Sequence, residues 1–172
     1  MVVAPELANK FIQNYKAILL TVCKLNGLQE DQRIRYTLVS AREFTQRIPN
    51  AIDEAIQFLE NSETGLDEDI VIAIRTMRIG NWYYLRDTTK YSIFLDEKSE
   101  NGYAVLGLID PLREVTNGGC TFFEAGVFQL NGHLVCDGLA NNLVHIGPGI
   151  RASLNESFKK IKQNKRFFKN AL

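Results

Sequence analysis

Apolar residues recur at spacings of three and four along the first third of the chain, the period of an amphipathic helix. Leu7, Phe11, Tyr15, Ile18, Val22 and Leu25 follow Pro5, which suits the first turn of a helix, and Asn26-Gly27 supplies a stop. From about Gln29 the spacing returns in Ile34, Leu38, Ala41, Phe44 and Ile48. Arg33 to Val39 also reads as a strand, and helix is preferred. Beyond Pro49, Ile52, Ala55, Ile56 and Leu59 predict a short amphipathic helix that stops in Asn61-Ser62-Glu63-Thr64-Gly65.

From Asp69 the period turns extended. Ile70 to Ile79 is rich in β-branched residues, Asn81 to Arg86 is aromatic, and Tyr91 to Leu95 is both, with Asp87-Thr88-Thr89-Lys90 as a turn. Tyr103 to Ile109 follows Asn101-Gly102, and Pro111 ends that run. Between Cys120 and Gly147 two apolar-rich arms flank Asn131-Gly132, which supplies the two positive φ angles of a type I′ turn. A two-residue loop fixes the register: Leu130 faces His133, Phe128 faces Val135, Gly126 faces Asp137 and Phe122 faces Asn141. Phe122, Glu124, Phe128, Val135, Asp137 and Leu139 then share one side, and Phe123, Val127, Leu134, Cys136 and Ala140 the other. Both sides are largely apolar, so the hairpin is expected inside a sheet covered on both faces.

After Gly147-Pro148-Gly149, the positions Ile150, Leu154, Phe158 and Ile161 predict a last helix with a basic end. The whole reads as a single α+β domain over residues 1–172: helical over 5–62, β-rich over 69–147, and a C-terminal helix over 149–166. Short connections favour antiparallel neighbours, so the five or six strands are expected to form an antiparallel meander or small barrel.

Composition narrows the partners. Twenty basic and twenty acidic residues balance, so no global field recruits nucleic acid or membranes, and the longest apolar run is far short of a membrane span. Three cysteines without CxxC spacing argue against a disulfide framework and for a reducing compartment. The opening Met-Val-Val-Ala-Pro has no basic leader or apolar core of signal-peptide length. A cytoplasmic protein is expected.

Candidate chemistry is sparse. Glu124 and Asp137 lie diagonally across Gly126, close enough to hold a divalent metal or to split acid and base roles. The preferred reading makes Asp137-Gly138 a turn and pairs Glu124 with Arg75, Arg86 or Arg113. Cys120, His133, Cys136 and His145 have zinc-ligand chemistry, but the register separates His133 from Cys136 and from His145, so no metal and no cofactor are expected. Gly147-Pro148-Gly149 could offer amides to an anion, with Arg151 close by, but the preferred reading is a simple turn from strand into helix. Trp82 and Tyr84 belong to an aromatic cluster whose alternation sends one ring outward, a surface for a ligand or partner. Lys159, Lys160, Lys162 and Lys165, with Phe167 and Phe168, suit single-stranded nucleic acid. The lysine-free and arginine-free stretch from Asp53 to Asp69 competes for the same charges.

These observations predict a non-catalytic binding or assembly module. The alternatives are a small metal-assisted enzyme using Glu124 and Asp137, and a weak RNA binder through the basic helix. A homodimer is expected from the breadth of the first helix, where Ile12, Leu19 and Cys23 widen its apolar stripe.

Overall fold

The computed structural model describes residues 1–62 and 65–172. The chain divides into two compact units, a helical one over Pro5–Thr76 and a β-rich one over Met77–Leu172 that includes Met1–Ala4. The predicted stop at Glu63 and Thr64, and their share of the acidic stretch, lie outside the described residues.

In the helical unit α1 (Pro5–Asn26) packs against α2 (Ile34–Arg47), α3 (Ala51–Asn61) and α4 (Glu68–Arg75). Gly27, at φ +62°, takes the left-handed conformation that ends α1. Leu28 N–H donates to the Cys23 carbonyl at 3.0 Å there. The ambiguous Arg33 to Val39 stretch is helical from Ile34, and α2 as a whole buries Thr37, Val39, Ala41, Arg42 and Thr45. Leu19 and Cys23, which widen the apolar stripe of α1, are buried within the chain itself.

Ile70 to Ile79 was expected to be extended, and most of it is not. Residues 68–75 form α4, with the Asp67 carboxylate accepting the Ile70 N–H at 3.2 Å as a helix cap. Glu68 and Asp69 complement the positive end of the helix dipole, and Ile70, Val71, Ala73 and Ile74 bury one helical face. Capping and a buried stripe outweigh the strand preference of β-branched residues, a modest and context-dependent term. An ion pair from Lys10 and a 2.9 Å bond from Asp67 N–H to Asn14 Oδ1 fasten this cap to α1.

The second unit is a mixed sheet rather than a purely antiparallel one. Its strands are β1 (Arg78–Asp87), β2 (Ser92–Asp96), β3 (Gly102–Leu106), β4 (Thr121–Leu130), β5 (His133–Cys136), β6 (Asn141–His145) and β7 (Phe167–Phe168). They run in the order β1-β2-β3-β5-β4-β6, and β1 also pairs with β4. Five strands therefore close a ring, β1-β2-β3-β5-β4 and back to β1, in a Greek-key path. The correction lies at β3, whose Val105 and Leu106 pair in parallel with Leu134 and Val135 of β5. Short loops make sequence neighbours antiparallel, but β3 and β5 are not neighbours. The chain between them passes through helix α5 (Leu112–Val115) and the whole of β4. β7 pairs, also in parallel, with Gly102 and Tyr103 of β3.

The β4–β5 hairpin turns on Asn131 (φ +48°) and Gly132 (φ +72°), with Leu130 opposite His133 and Phe128 opposite Val135 as expected. Asp137 N–H still donates to the Gly126 carbonyl at 2.9 Å. The register then breaks: Gly138 has φ +74°, and the Asp137 carboxylate accepts the Leu139 N–H at 3.0 Å. Phe122 consequently faces Val144 of β6, and Asn141 faces Glu124.

Trp82, Tyr84, Phe94, Tyr103, Val105, Phe123, Ala125, Val127, Leu134, Cys136 and Ala140 fill the ring, and Leu112 of α5 packs into the same cluster. Outside the ring, Leu85, Ile93 and Leu95 pack with Leu154, Phe158 and Ile161 of helix α6 (Pro148–Gln163).

Candidate functional site

A cleft of about 600 Å³ opens where the end of β1, α5 with its following loop, and the first turn of α6 meet. Tyr84, Leu85, Arg86, Asp87, Arg113, Glu114, Asn117, Gly118 and Arg151 line it. The volume lies within the range of small-molecule sites. β1 delivers four consecutive wall residues because it bulges between Tyr84 and Arg86, which re-aims its side chains at the strand end. The loop after α5 turns through Asn117 (φ +50°) and Gly118 (φ +72°). Gly118 N–H donates to the Arg113 carbonyl at 2.6 Å, which holds that turn against the base of α5.

The floor is a hydrogen-bonded carboxylate. Asp87 Oδ1 accepts the Tyr84 hydroxyl at 3.0 Å and the Ser92 hydroxyl at 2.6 Å. Burial, reinforced by the bond and the charge of Asp87, pushes the Tyr84 phenol far above its ordinary value, against smaller opposing effects of Thr116 and Arg113. Tyr84 therefore stays a neutral donor. Three guanidinium groups ring this floor. Arg86 Nη1 donates to Asn155 Oδ1 at 2.5 Å, and its guanidinium lies 5.6 Å from the Phe158 ring centroid. Arg113 and Arg151 are exposed, and among the described residues no salt bridge holds either one. Arg151 N–H bonds the Gly147 carbonyl at 3.0 Å, so Gly147-Pro148-Gly149 opens α6 while setting this side chain at the cleft.

Of the residues singled out in the sequence, Tyr84 and Arg151 meet here. Trp82 does not, and it offers no surface to a partner. It is 1% exposed inside the ring, where its indole N–H donates to the Ala125 carbonyl at 3.0 Å and its ring meets Tyr103 edge-on at 5.4 Å. The half-buried aromatic of that run is Tyr83, whose ring lies 4.6 Å from that of Phe122 at a tilt of 44°.

Glu124 sits on β4 opposite Asn81 of β1 and Asn141 of β6. Asp137 is 4% exposed beside Gly126, whose missing Cβ would fall 2.7 Å from Asp137 Oδ2 and 2.3 Å from Met77 Sδ. Gly126 is thus required by close approach rather than by its backbone angles. Arg75, named as a companion for Glu124, instead bonds Asp53 at 2.8 Å. Among the described residues no group of three or more His, Cys, Asp or Glu is placed to hold a metal. All three cysteines are buried and stand outside any disulfide. Burial raises the Cys120 thiol despite Arg151 nearby.

Lys159, Lys160, Lys162 and Lys165 are exposed on or just beyond α6. Lys159 bonds Glu156 at 2.7 Å, and Lys162 lies 5.0 Å from the Phe158 ring centroid. Phe167 packs on Phe158 at 5.3 Å, and Phe168 stacks on Tyr103 at 5.6 Å. Five-stranded Greek-key barrels that bind oligonucleotides use the face of their second and third strands. Here α6 and Phe167 cover that face at Ile93 and Leu95. The close fit shows at Gly102, where an added Cβ would lie 2.9 Å from Phe167 and 3.2 Å from Ile161.

Arg86, Asp87, Arg113, Glu114 and Asn117 are the wall residues that the sequence reading did not assemble. Arg86 and Arg113 drew notice as partners for Glu124, but nothing in their spacing brings them to Arg151. Comparison with known proteins gives no significant match to a family model, a curated protein or a solved structure.

Proposed function

We propose that this chain is a non-catalytic binding module whose ligand is a small anionic molecule held in the cleft at the end of the barrel. The observation that carries the reading is the pair Arg113 and Arg151, two guanidinium groups outside any salt bridge among the described residues, facing a cleft of about 600 Å³. A planar fork of donors fits carboxylate or phosphate oxygens in pairs, and partial enclosure strengthens each bond relative to open water. Cysteines held outside any disulfide favour a reducing, cytoplasmic setting. Self-association belongs to the same proposal. Leu143 and Val144 on β6, the end strand of the sheet path, and Ile150 at the start of α6 are 41%, 56% and 55% exposed.

The metal-assisted and nucleic-acid alternatives draw no such support. Asp137 Oδ1 holds the Leu139 N–H, and the outer face of β2 carries α6.

Thermal unfolding in inorganic phosphate, against chloride at equal ionic strength, tests the reading. A ligand at a hundred times its Kd stabilises by about 2.7 kcal/mol. Because phosphate also stabilises proteins by exclusion from their surface, the Arg113→Ala/Arg151→Ala double variant is the control. The shift should be present in the parent and reduced to the generic effect in the variant. Equal shifts in both would remove the cleft as the binding site.

A further inference from the structure

The cleft wall carries acceptors as well as cations, and their arrangement narrows the ligand. Asp87 places both of its hydroxyl bonds on Oδ1, so Oδ2 remains to accept from the cleft. Glu114 is exposed on the same wall, outside the salt bridges formed among the described residues. A simple anion would satisfy the guanidinium groups and leave these carboxylates facing its negative charge. A ligand that brings donors of its own would not.

We infer that the cleft takes a hydroxyl-bearing phosphomonoester, its phosphate between Arg113 and Arg151 and its hydroxyls on Asp87 and Glu114; this rests on the cleft being the ligand site. Phosphate is favoured over carboxylate by charge. A phosphomonoester carries close to two negative charges at neutral pH, matching Arg113 and Arg151, whose guanidinium groups, unlike that of Arg86, make no side-chain hydrogen bond or salt bridge among the described residues. Arg86 is already bonded to Asn155 and packed on Phe158. Hydroxyls are favoured over an ammonium group because Arg86, Arg113 and Arg151 line the same cleft as Asp87 and Glu114, so an added cation meets three guanidinium groups.

Calorimetric titration with inorganic phosphate, glycerol 3-phosphate, phosphoethanolamine and glycerol, at constant ionic strength and pH 7.5, separates the possibilities. Glycerol 3-phosphate should bind about tenfold or more tightly than inorganic phosphate, glycerol alone should not bind, and phosphoethanolamine should bind more weakly than glycerol 3-phosphate. Glu114→Ala, which removes a hydroxyl acceptor, should erase most of the affinity ratio of glycerol 3-phosphate over inorganic phosphate. If inorganic phosphate binds through Arg113 and Arg151 but glycerol 3-phosphate gains nothing, or phosphoethanolamine binds best, this inference falls and the anion site stands. If no phosphate binds, or if binding survives Arg113→Ala/Arg151→Ala, the site itself falls and the inference with it.

Discussion

Trp82→Phe tests the closed ring at its largest interior side chain. The indole is 1% exposed, bonds the Ala125 carbonyl on β4 through its N–H at 3.0 Å, and meets Tyr103 of β3 edge-on at 5.4 Å. One side chain thus ties β1 to two other strands of the ring. The substitution removes three ring atoms. Two carbons at about 0.8 kcal/mol each and a hydrogen bond worth roughly 1 kcal/mol give a loss of about 2.5 kcal/mol, before any cost of the cavity left behind. For a unit of this size each kcal/mol lowers Tm by about 4–8 °C, so a fall of more than 10 °C is expected. Because this is the single tryptophan, unfolding of the variant is followed by far-UV circular dichroism in urea rather than by indole fluorescence. Tyr83→Phe, which alters a half-buried ring on the other side of β1, serves as the control and should change stability by less than about 0.5 kcal/mol. A Trp82→Phe variant as stable as the control would mean that the ring interior is not packed as described.

Tyr84 predicts an alkaline limit. Its folded pKa is raised above the ordinary 10.0, so above that pH the unfolded chain gives up a proton that the folded one keeps, and stability falls as pH rises. Tyr84→Phe should show a shallower decline in urea midpoint between about pH 9.5 and 11, and parallel curves would refute the assignment. Sedimentation at low micromolar concentration tests self-association: a dimer mass, reduced to monomer by Val144→Lys on the end strand, is expected, and a parent at monomer mass removes assembly from the proposal.

The parts of the fold legible in the sequence are those set by local chemistry. Asn131-Gly132 fixes the hairpin register by its backbone angles, so Leu130, Phe128 and Val127 could be placed opposite His133, Val135 and Cys136 from the loop length alone. That logic ends at Asp137, where a side chain bonding its own backbone turns the strand away. Ile70 to Ile79 misled because β-branched content was weighed above the Asp67 cap and the i, i+1, i+3, i+4 burial of Ile70, Val71, Ala73 and Ile74. The parallel β3–β5 pair could not be read from loop lengths, which inform only on consecutive strands. The cleft was illegible for the same reason: Arg86, Arg113 and Arg151 come from three elements that meet only when the ring closes.

Ring closure also directs where a ligand can be recognised. A small barrel offers its interior, its outer faces and its two ends. Trp82, Phe94, Phe123, Val127 and Leu134 occupy the interior, leaving it a packed core. On the outer face of β1 and β2, Leu85, Ile93 and Leu95 lie under α6, so the side chains that seat the helix cannot also stack on bases. At one end Leu112 plugs the core from α5, and the charged residues on either side of it in sequence, Asp110 and Arg113, are exposed. The same short helix that seals the barrel therefore presents Arg113 and Glu114 to the cleft, and α6, in covering the outer face, brings Arg151 to them. Substitutions that loosen α6, such as Phe158→Ala beneath Arg86, are thus coupled to the cleft through Arg86 and Arg151 although they touch no ligand.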